Sequence, residues 1–258
     1  MKKLISLMMT GCMLLGVAVA VQAENKVSLD VVGGSNFNLT DKFTAYFSDG
    51  TVDGPNKTKY VGDLSGLLLG FETSLDKFKL GAEYGLWSTD EYSSKENGVK
   101  DPDDNYSEDL VVAEVKGGYR VVDQNRFKLD LTMGVLDLSY KETVKENGSS
   151  SKSKNNISGN MIGVDGTVNF SDKASLQGTV AYSLVGAYVM GLDDPSLTEI
   201  KLKYNYALTD NWGLGLGYRA YLLSGKYDGP GSDVDITREK DKVDGNIGAF
   251  TLGASYKF

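Results

Sequence analysis

Residues 246–258, NIGAFTLGASYKF, decide how the rest of the chain is interpreted. From Phe250 onward every second residue is apolar, and small or polar residues fill the positions between them. The apolar members are Phe250, Leu252, Ala254, Tyr256 and Phe258. Side chains of a β-strand point alternately to its two faces. The segment is therefore predicted to be a strand with one apolar face and one polar face.

The same period of two recurs in nine earlier segments, which are also predicted to be strands. They cover residues 27–31, 67–74, 79–86, 111–121, 127–133, 162–170, 176–184, 199–208 and 212–222. Turns of two to four residues follow the second, fourth, sixth and eighth of these segments, which indicates antiparallel hairpins. Long polar segments follow the others, near residues 37–61, 88–108, 141–156, 186–196 and 224–245. Of these, 141–156 and 224–245 are predicted to be mobile because they hold few apolar residues.

The alternating residues Phe250, Leu252, Tyr256 and Phe258 resemble the assembly signal of Gram-negative outer-membrane β-barrels. The layout after residue 23 resembles the OmpA-type, OmpW-type and opacity-type barrels, without a residue that marks one subfamily. The resemblance implies an all-β fold, a single antiparallel transmembrane β-barrel of ten strands, with eight or twelve as alternatives. It implies short periplasmic turns and long extracellular loops. The implied partners are outer-membrane lipid and, during biogenesis, the barrel-assembly machinery and periplasmic chaperones, while the oligomeric state stays open.

The beginning of the chain predicts export. Two lysines precede a mostly apolar run over residues 4–21, which leads to the small residues Val21 and Ala23. This anatomy predicts a cleaved signal peptide over residues 1–23 and an outer-membrane β-barrel domain over residues 24–258. Cleavage as a lipoprotein fits less well, because only residues 4–9 of the apolar run precede Cys12 and the run continues after it. Retention as a membrane helix fits less well because of Gly11, Gly16 and the small residues at the end of the run. The predicted location is the cell outer membrane.

The charged residues decide which face of the strands is outward. A soluble barrel of the lipocalin kind would show the same alternation, but the Tyr and Trp content of the apolar face and the final Phe258 favour a membrane. A basic side chain that faced lipid near the midplane would cost about 2 to 4 kcal/mol. The charged residues of the polar face are therefore predicted to face the lumen: Glu72, Glu83, Glu114, Lys116, Arg120, Lys128, Asp130, Lys201, Lys203 and Arg219.

The chain lacks the side chains for several kinds of chemistry. It contains no histidine, and its single cysteine, Cys12, lies within the predicted signal peptide. Outer-membrane barrels that are enzymes resemble one another in using a catalytic histidine, and zinc sites use histidine and cysteine. We therefore predict no enzymatic activity, no catalytic residues, no metal and no cofactor. The net charge of −8 argues against nucleic acid and other polyanions as partners.

Two functions fit this architecture. The first is a narrow porin-like channel for small hydrophilic solutes, through a lumen with a backbone diameter of roughly 20 Å. Gly213, Gly215 and Gly217 would leave part of the inner wall without side chains for a passage, or would admit a bulky neighbour such as Tyr221 or Arg120. The second is a structural or adhesive surface barrel with no transport, which acts through its extracellular loops and whose lumen is filled by paired charges and water.

Overall fold

The computed structural model describes residues 23–100, 104–146, 149–184, 188–189, 193–231 and 235–258. Their regular structure is entirely β, as predicted. The strands are β1 (Glu24–Phe47), β2 (Val52–Gly62), β3 (Leu64–Leu75), β4 (Phe78–Thr89), β5 (Lys95–Glu96), β6 (Val99–Lys100), β7 (Asp104–Gln124), β8 (Phe127–Glu146), β9 (Ser149–Asn169), β10 (Ala174–Ser183), β11 (Tyr188–Val189), β12 (Asp193–Ala207), β13 (Trp212–Gly229) and β14 (Ile236–Lys257). These residues include no helix that is long and apolar enough to span a membrane. The predicted signal peptide, apart from Ala23, lies outside the described residues.

Ten of the strands close into an antiparallel barrel, which confirms the predicted strand number. The order around the ring is β1-β3-β4-β7-β8-β9-β10-β12-β13-β14, and β14 pairs with β1 to complete it. Tyr256 of the closing strand lies opposite Trp212 of β13 on one side and opposite Val27 of β1 on the other. Both edges of the sheet are thereby paired, and a barrel in an apolar surrounding depends on this because unpaired backbone groups are costly there.

The outward face of the barrel carries an apolar belt at the end that holds the short turns, here called the lower end. The predicted assembly residues Phe250, Leu252 and Phe258 lie in this belt and are 56%, 62% and 61% exposed. On β8 the belt covers residues 127–135, and nine residues fall within the 9 to 11 that a tilted strand needs to cross a bilayer. The belt ends where outward positions become polar, at Ser88, Asp109, Asp137, Asn160, Thr198, Ser224 and Asn246.

Above the belt the strands continue into a β-structured extension. β7, β8 and β9 have 21, 20 and 21 residues, about twice the length that a membrane requires. β2 continues β3 after Asp63 and pairs with the upper half of β1, and β5 and β6 form a hairpin beside β2. The extension comprises the described residues within 37–62, 88–109, 137–160, 193–198 and 223–246.

The prediction of mobile loops at residues 141–156 and 224–245 is wrong for most of both segments. β8 and β9 remain paired up to Glu146 and Ser149, and β13 and β14 remain paired up to Gly229 and Glu239. Polar segments without an apolar rhythm give no local signal for a strand. The alternating residues lower in the same strands fix the register of the hydrogen-bonded ladder, and the ladder continues upward through these polar segments. Local composition does not reveal such pairing.

The inside of the upper barrel is an apolar core to which every strand of the ring contributes. Its members include one residue from each ring strand: Val32, Leu64, Trp87, Val112, Leu138, Ile157, Ala181, Leu197, Tyr221 and Ile247. The ring centroids of Trp87 and Tyr221 lie 6.1 Å apart. Because β4 and β13 are four places apart around the ring, this contact crosses the lumen.

Candidate functional site

Below the apolar core, the inward positions carry charged and polar side chains around two cavities. Their volumes are about 120 Å³ for the upper cavity and about 260 Å³ for the lower one. Seven of the ten residues predicted to face the lumen line the upper cavity: Glu72, Glu83, Glu114, Lys116, Lys201, Lys203 and Arg219. The other three, Arg120, Lys128 and Asp130, line the lower cavity. The fold therefore brings all ten side chains together inside the barrel.

A cluster of ion pairs crosses the lumen between the upper cavity and the apolar core. Lys201 Nζ lies 2.7 Å from Glu83 Oε2 and 2.8 Å from Glu199 Oε1, and it also contacts Glu114. Arg219 Nη2 donates to Glu83 Oε2 at 2.9 Å. We call these five residues the central bridge. Lys201 on β12 and Glu83 on β4 are five places apart in a ring of ten, so the bridge joins opposite walls.

The central bridge is buried and continuous with the apolar core above it. Glu199, Arg219 and Glu114 are only 1%, 5% and 6% exposed. Arg219 Nη1 donates to the hydroxyl of Tyr221 at 2.9 Å, and Tyr221 belongs to the core. Ion pairs of this kind cost several kcal/mol per ion to desolvate, and they persist only where the geometry and further hydrogen bonds compensate. Because the ion pairs of the central bridge are buried and share their partners, their role is to hold the strands of the barrel together from the inside.

A second ion pair occupies the place where a passage was predicted. Lys203 Nζ lies 2.7 and 2.8 Å from the two carboxylate oxygens of Asp30, which joins β12 to β1. The side chain of Lys203 lies against Gly215, where a Cβ would overlap it. A Cβ at Gly217 would lie 2.8 Å from Thr251 Oγ1. Gly215 and Gly217 therefore make room for Lys203 and Thr251, in place of the predicted passage or the predicted neighbours Tyr221 and Arg120, whereas Gly213 lines the lower cavity.

Further pairs fill the lower part of the lumen. Asp165 accepts a hydrogen bond from Lys116 Nζ at 3.2 Å and from Thr179 Oγ1 at 2.8 Å. Lys79 Nζ lies 2.9 Å from Glu72 Oε2. At the level of the lower cavity, Arg120 Nε donates to Asp130 Oδ1 at 3.0 Å. Lys128 also lines that cavity, and it forms no ion pair with any residue that the structure describes.

Sequence reasoning missed several inward charges that complete these pairs: Asp30, Lys79, Asp165 and Glu199. The signal for Glu199 was present, because it precedes Lys201 by two residues and the period of two places both on one face. Which charge meets which could not be read locally, since the partners are up to 173 positions apart in the chain. Among the described residues, no group of three or more Asp, Glu, Cys or His side chains could hold a metal ion.

Within the extension, Glu108 is a buried carboxyl above the belt. It is 3% exposed, and its Oε1 accepts a hydrogen bond from the Tyr92 hydroxyl at 2.8 Å. Its Oε2 has no hydrogen-bond partner among the described residues. Burial raises the pKa of Glu108 to about 7, and the carboxylates of Glu142 and Asp109 act in the same direction, while the Tyr92 hydrogen bond opposes them.

No protein-family model and no curated protein sequence matches the chain. Among solved structures, the outer-membrane protease OmpT of Escherichia coli is similar, with a TM-score of 0.62 and 12% identity over 90% of this chain and 97% of that one. The fold is that of an outer-membrane β-barrel. Neisserial surface protein A matches with a TM-score of 0.36 and 13% identity over 91% and 97% of the two chains. Ail of Yersinia pestis matches with a TM-score of 0.37 and 10% identity over 92% and 100%. At these identities the likeness concerns the fold alone.

Replacing Lys201 with Met is expected to destabilise the barrel by about 3 to 5 kcal/mol, because the buried carboxylates of Glu114 and Glu199 then lose this cation and Glu83 keeps only Arg219. Urea unfolding of the folded protein in detergent measures the change. Lys128→Met is the matched control and should change the free energy of unfolding by less than about 1 kcal/mol. Equal losses of unfolding free energy in both variants would show that the central bridge stabilises the barrel no more than a single lumen lysine without an ion pair does.

Stability of the extension is expected to fall as the pH rises from about 4.5 to about 7. The folded-state pKa of Glu108 is raised above its unfolded value, so the folded protein holds this proton more firmly, and the advantage is lost as the pH passes through the folded pKa. The effect is on the order of 3 kcal/mol. Glu108→Gln should remove the share of this dependence that Glu108 carries, whereas Asp241 of the extension, whose pKa is raised to about 7 by burial and by its neighbour Asp41, keeps its own share. The exposed Asp109→Asn should retain most of the dependence, because Asp109 contributes least to the raised pKa of Glu108. Trp87 fluorescence in a Trp212→Phe background reports unfolding of this region, and an unchanged pH profile in Glu108→Gln would refute the assignment.

Proposed function

We propose that the protein is an integral outer-membrane barrel with a closed interior, which displays its extension at the cell surface as a binding surface. The observation that carries this proposal is the central bridge together with the Trp87–Tyr221 contact. Both join walls that face each other across the lumen. A solute that moved along the axis would have to separate buried ion pairs and then pass through an apolar core.

The distribution of side chains supports the membrane setting. The belt is apolar on the outside for the length of a membrane crossing, while the charged residues of the same strands lie inside. The short turns, such as Asp76–Lys77 between β3 and β4, fall on the rim opposite the extension. Small turns on one rim and large structures on the other are typical of outer-membrane barrels, with the larger side outward. In this proposal the signal peptide directs export, and the assembly machinery inserts the barrel.

The porin-like channel is the second candidate, and the two cavities are the observation in its favour. Together they provide space lined by charged and polar side chains along the lower half of the lumen. Conduction would still require the central bridge and the apolar core to open. The closed barrel needs no such rearrangement, and we therefore place it first.

We also propose that the barrel is not an enzyme. The Escherichia coli structure of similar fold is a protease, but a shared fold does not carry an activity. The chain contains no histidine, so the usual general base at neutral pH is missing.

The purified barrel is expected to show no conductance above that of the bare planar bilayer. A variant with Glu83→Ala, Trp87→Ala, Glu114→Ala, Arg219→Ala and Tyr221→Ala removes the ion pairs of the central bridge that cross the lumen together with the Trp87–Tyr221 contact, and it provides an opened comparison. Heat-modifiable migration in gels shows whether each protein is folded. Stepwise conductance of the unmodified, folded barrel would contradict the closed interior and favour the channel.

Replacing Phe258 with Ser should lower the yield of assembled barrel in the outer membrane several-fold, because the substitution alters the end of the predicted assembly signal. Phe170→Ser is the matched control, since Phe170 is an outward aromatic with a similar exposure of 57% against 61% for Phe258. Heat-modifiable barrel in membrane fractions is the quantity to compare. Equal yields of the two variants would remove the special role of Phe258.

A further inference from the structure

The outward face of the extension carries a row of four lysines that lie directly opposite one another on neighbouring strands. Lys42 of β1 is paired with Lys57 of β2 on one side and with Lys242 of β14 on the other. Lys242 is in turn paired with Lys226 of β13. Paired residues of an antiparallel sheet project from the same face. The four cations therefore stand side by side across β2, β1, β14 and β13.

A second row lies two residues further along β2. Lys59 is paired with Lys95 of β5, and Lys95 is paired with Lys100 of β6. Lys57 and Lys59 project from the same face because they are two positions apart. We call the seven residues together the lysine rows. At about 4.8 Å per strand, the six strands that carry them give a cationic path of roughly 24 Å.

The lysine rows hold far more positive charge than their own surroundings neutralise. Lys242 Nζ lies 2.8 Å from Asp244 Oδ2. The other six lysines have no ion pair within the part of the chain that the structure describes, and all except the half-buried Lys59 are exposed. Like charges directly opposite each other destabilise a sheet. On a chain with a net charge of −8, such a concentration of lysines indicates a site for multivalent anions.

The position of the rows identifies which anions would meet them. Lys226 follows the belt residue Leu222 by four positions on the same face of β13. At about 3.3 Å per residue and a tilt of about 40°, Lys226 lies roughly 10 Å above the edge of the belt. A simple headgroup layer extends only about 5 to 7 Å from the hydrocarbon. A glycolipid carries its phosphates on sugars, which reach farther from the acyl chains.

We propose that the lysine rows bind the phosphate groups of the glycolipid in the outer leaflet that surrounds the barrel. This inference rests on the proposed function, which places the belt in the outer membrane with the extension outside. The rows face sideways, as the belt does, and so they face the leaflet. Binding would neutralise lysines that repel one another, so phosphorylated glycolipid should also stabilise the folded extension.

The test measures binding of diphosphorylated lipid A by the full chain, folded in phosphatidylcholine nanodiscs. Lys42→Gln/Lys226→Gln removes two exposed cations of the rows and should weaken binding by about tenfold, since each lysine near an anionic surface contributes to attraction. The matched control is Lys77→Gln/Lys173→Gln, which removes two exposed lysines from the turns at the opposite rim and should change the affinity less than about twofold. Fully dephosphorylated lipid A should bind the unmodified protein no better than the row variant binds lipid A.

Three results would overturn the inference. Equal affinities of the row variant and the control variant would remove the lysine rows from the interaction. Equal binding of phosphorylated and dephosphorylated lipid A would remove the phosphates. Binding of soluble tripolyphosphate that is lost in the row variant, without any effect on lipid A, would assign the rows to a soluble polyanion.

Failure of the proposed function gives different signs. Conductance of the unmodified barrel would contradict the proposed closed interior, but it would not change the measured affinity for lipid A. A folded protein that does not enter nanodiscs would end the membrane setting and this inference together. If the barrel is inserted and closed but binds phosphorylated and dephosphorylated lipid A equally, only the inference about the lysine rows is contradicted.

Discussion

The structure depends on charges that find their partners across the lumen. Lys201 reaches Glu83 on the opposite wall, Arg219 reaches the same carboxylate from a neighbouring strand, and Lys203 reaches Asp30. Each of these side chains points inward because its strand neighbours form the outward apolar belt. Since an unpaired charge in so narrow an interior would be expensive, the pairing across the lumen is what allows one face of every strand to be polar.

This constraint divides the molecule into three layers with different tasks. In the lower barrel the outside is apolar and the inside is ionic, the opposite of a soluble protein. In the upper barrel the inside becomes apolar around Trp87 and Tyr221, while the outside becomes polar. A core of this kind stabilises the extension and, in the function proposed above, also closes the lumen. Because the inside of the upper barrel is filled, most of the charged groups of the extension, including the lysine rows, lie on its outer surface.

Much of this fold is predictable from period and turn length alone. The residues of 246–258 predict the closing strand, and the alternation in nine other segments predicts ten strands and the inward position of residues such as Glu83 and Lys201. What the sequence could not reveal is the choice of partner across the lumen, because this depends on ring closure and strand stagger. The role of Gly215 shows the same limit, since the side chain that fills its space comes from β12.

The extension and the lysine rows escaped prediction for related reasons. Residues 141–156 contain no alternating signal, and their strand structure follows from a register set below them. Lys42, Lys57, Lys226 and Lys242 are scattered over the chain, and the net charge of −8 conceals them. Cross-strand register places them in one row, and register is a property of the folded sheet.

A double-mutant cycle between Glu83 and Lys201 tests the central claim most directly, because these residues belong to opposite walls and can couple only through the lumen. The free energies of unfolding of Glu83→Gln, Lys201→Met and the double variant are measured in detergent. The predicted result is a coupling energy of about 1 to 3 kcal/mol, typical of residues within one ion-pair network. Additive effects, within about 0.3 to 0.5 kcal/mol, would show that the two walls are not joined and would contradict the closed barrel.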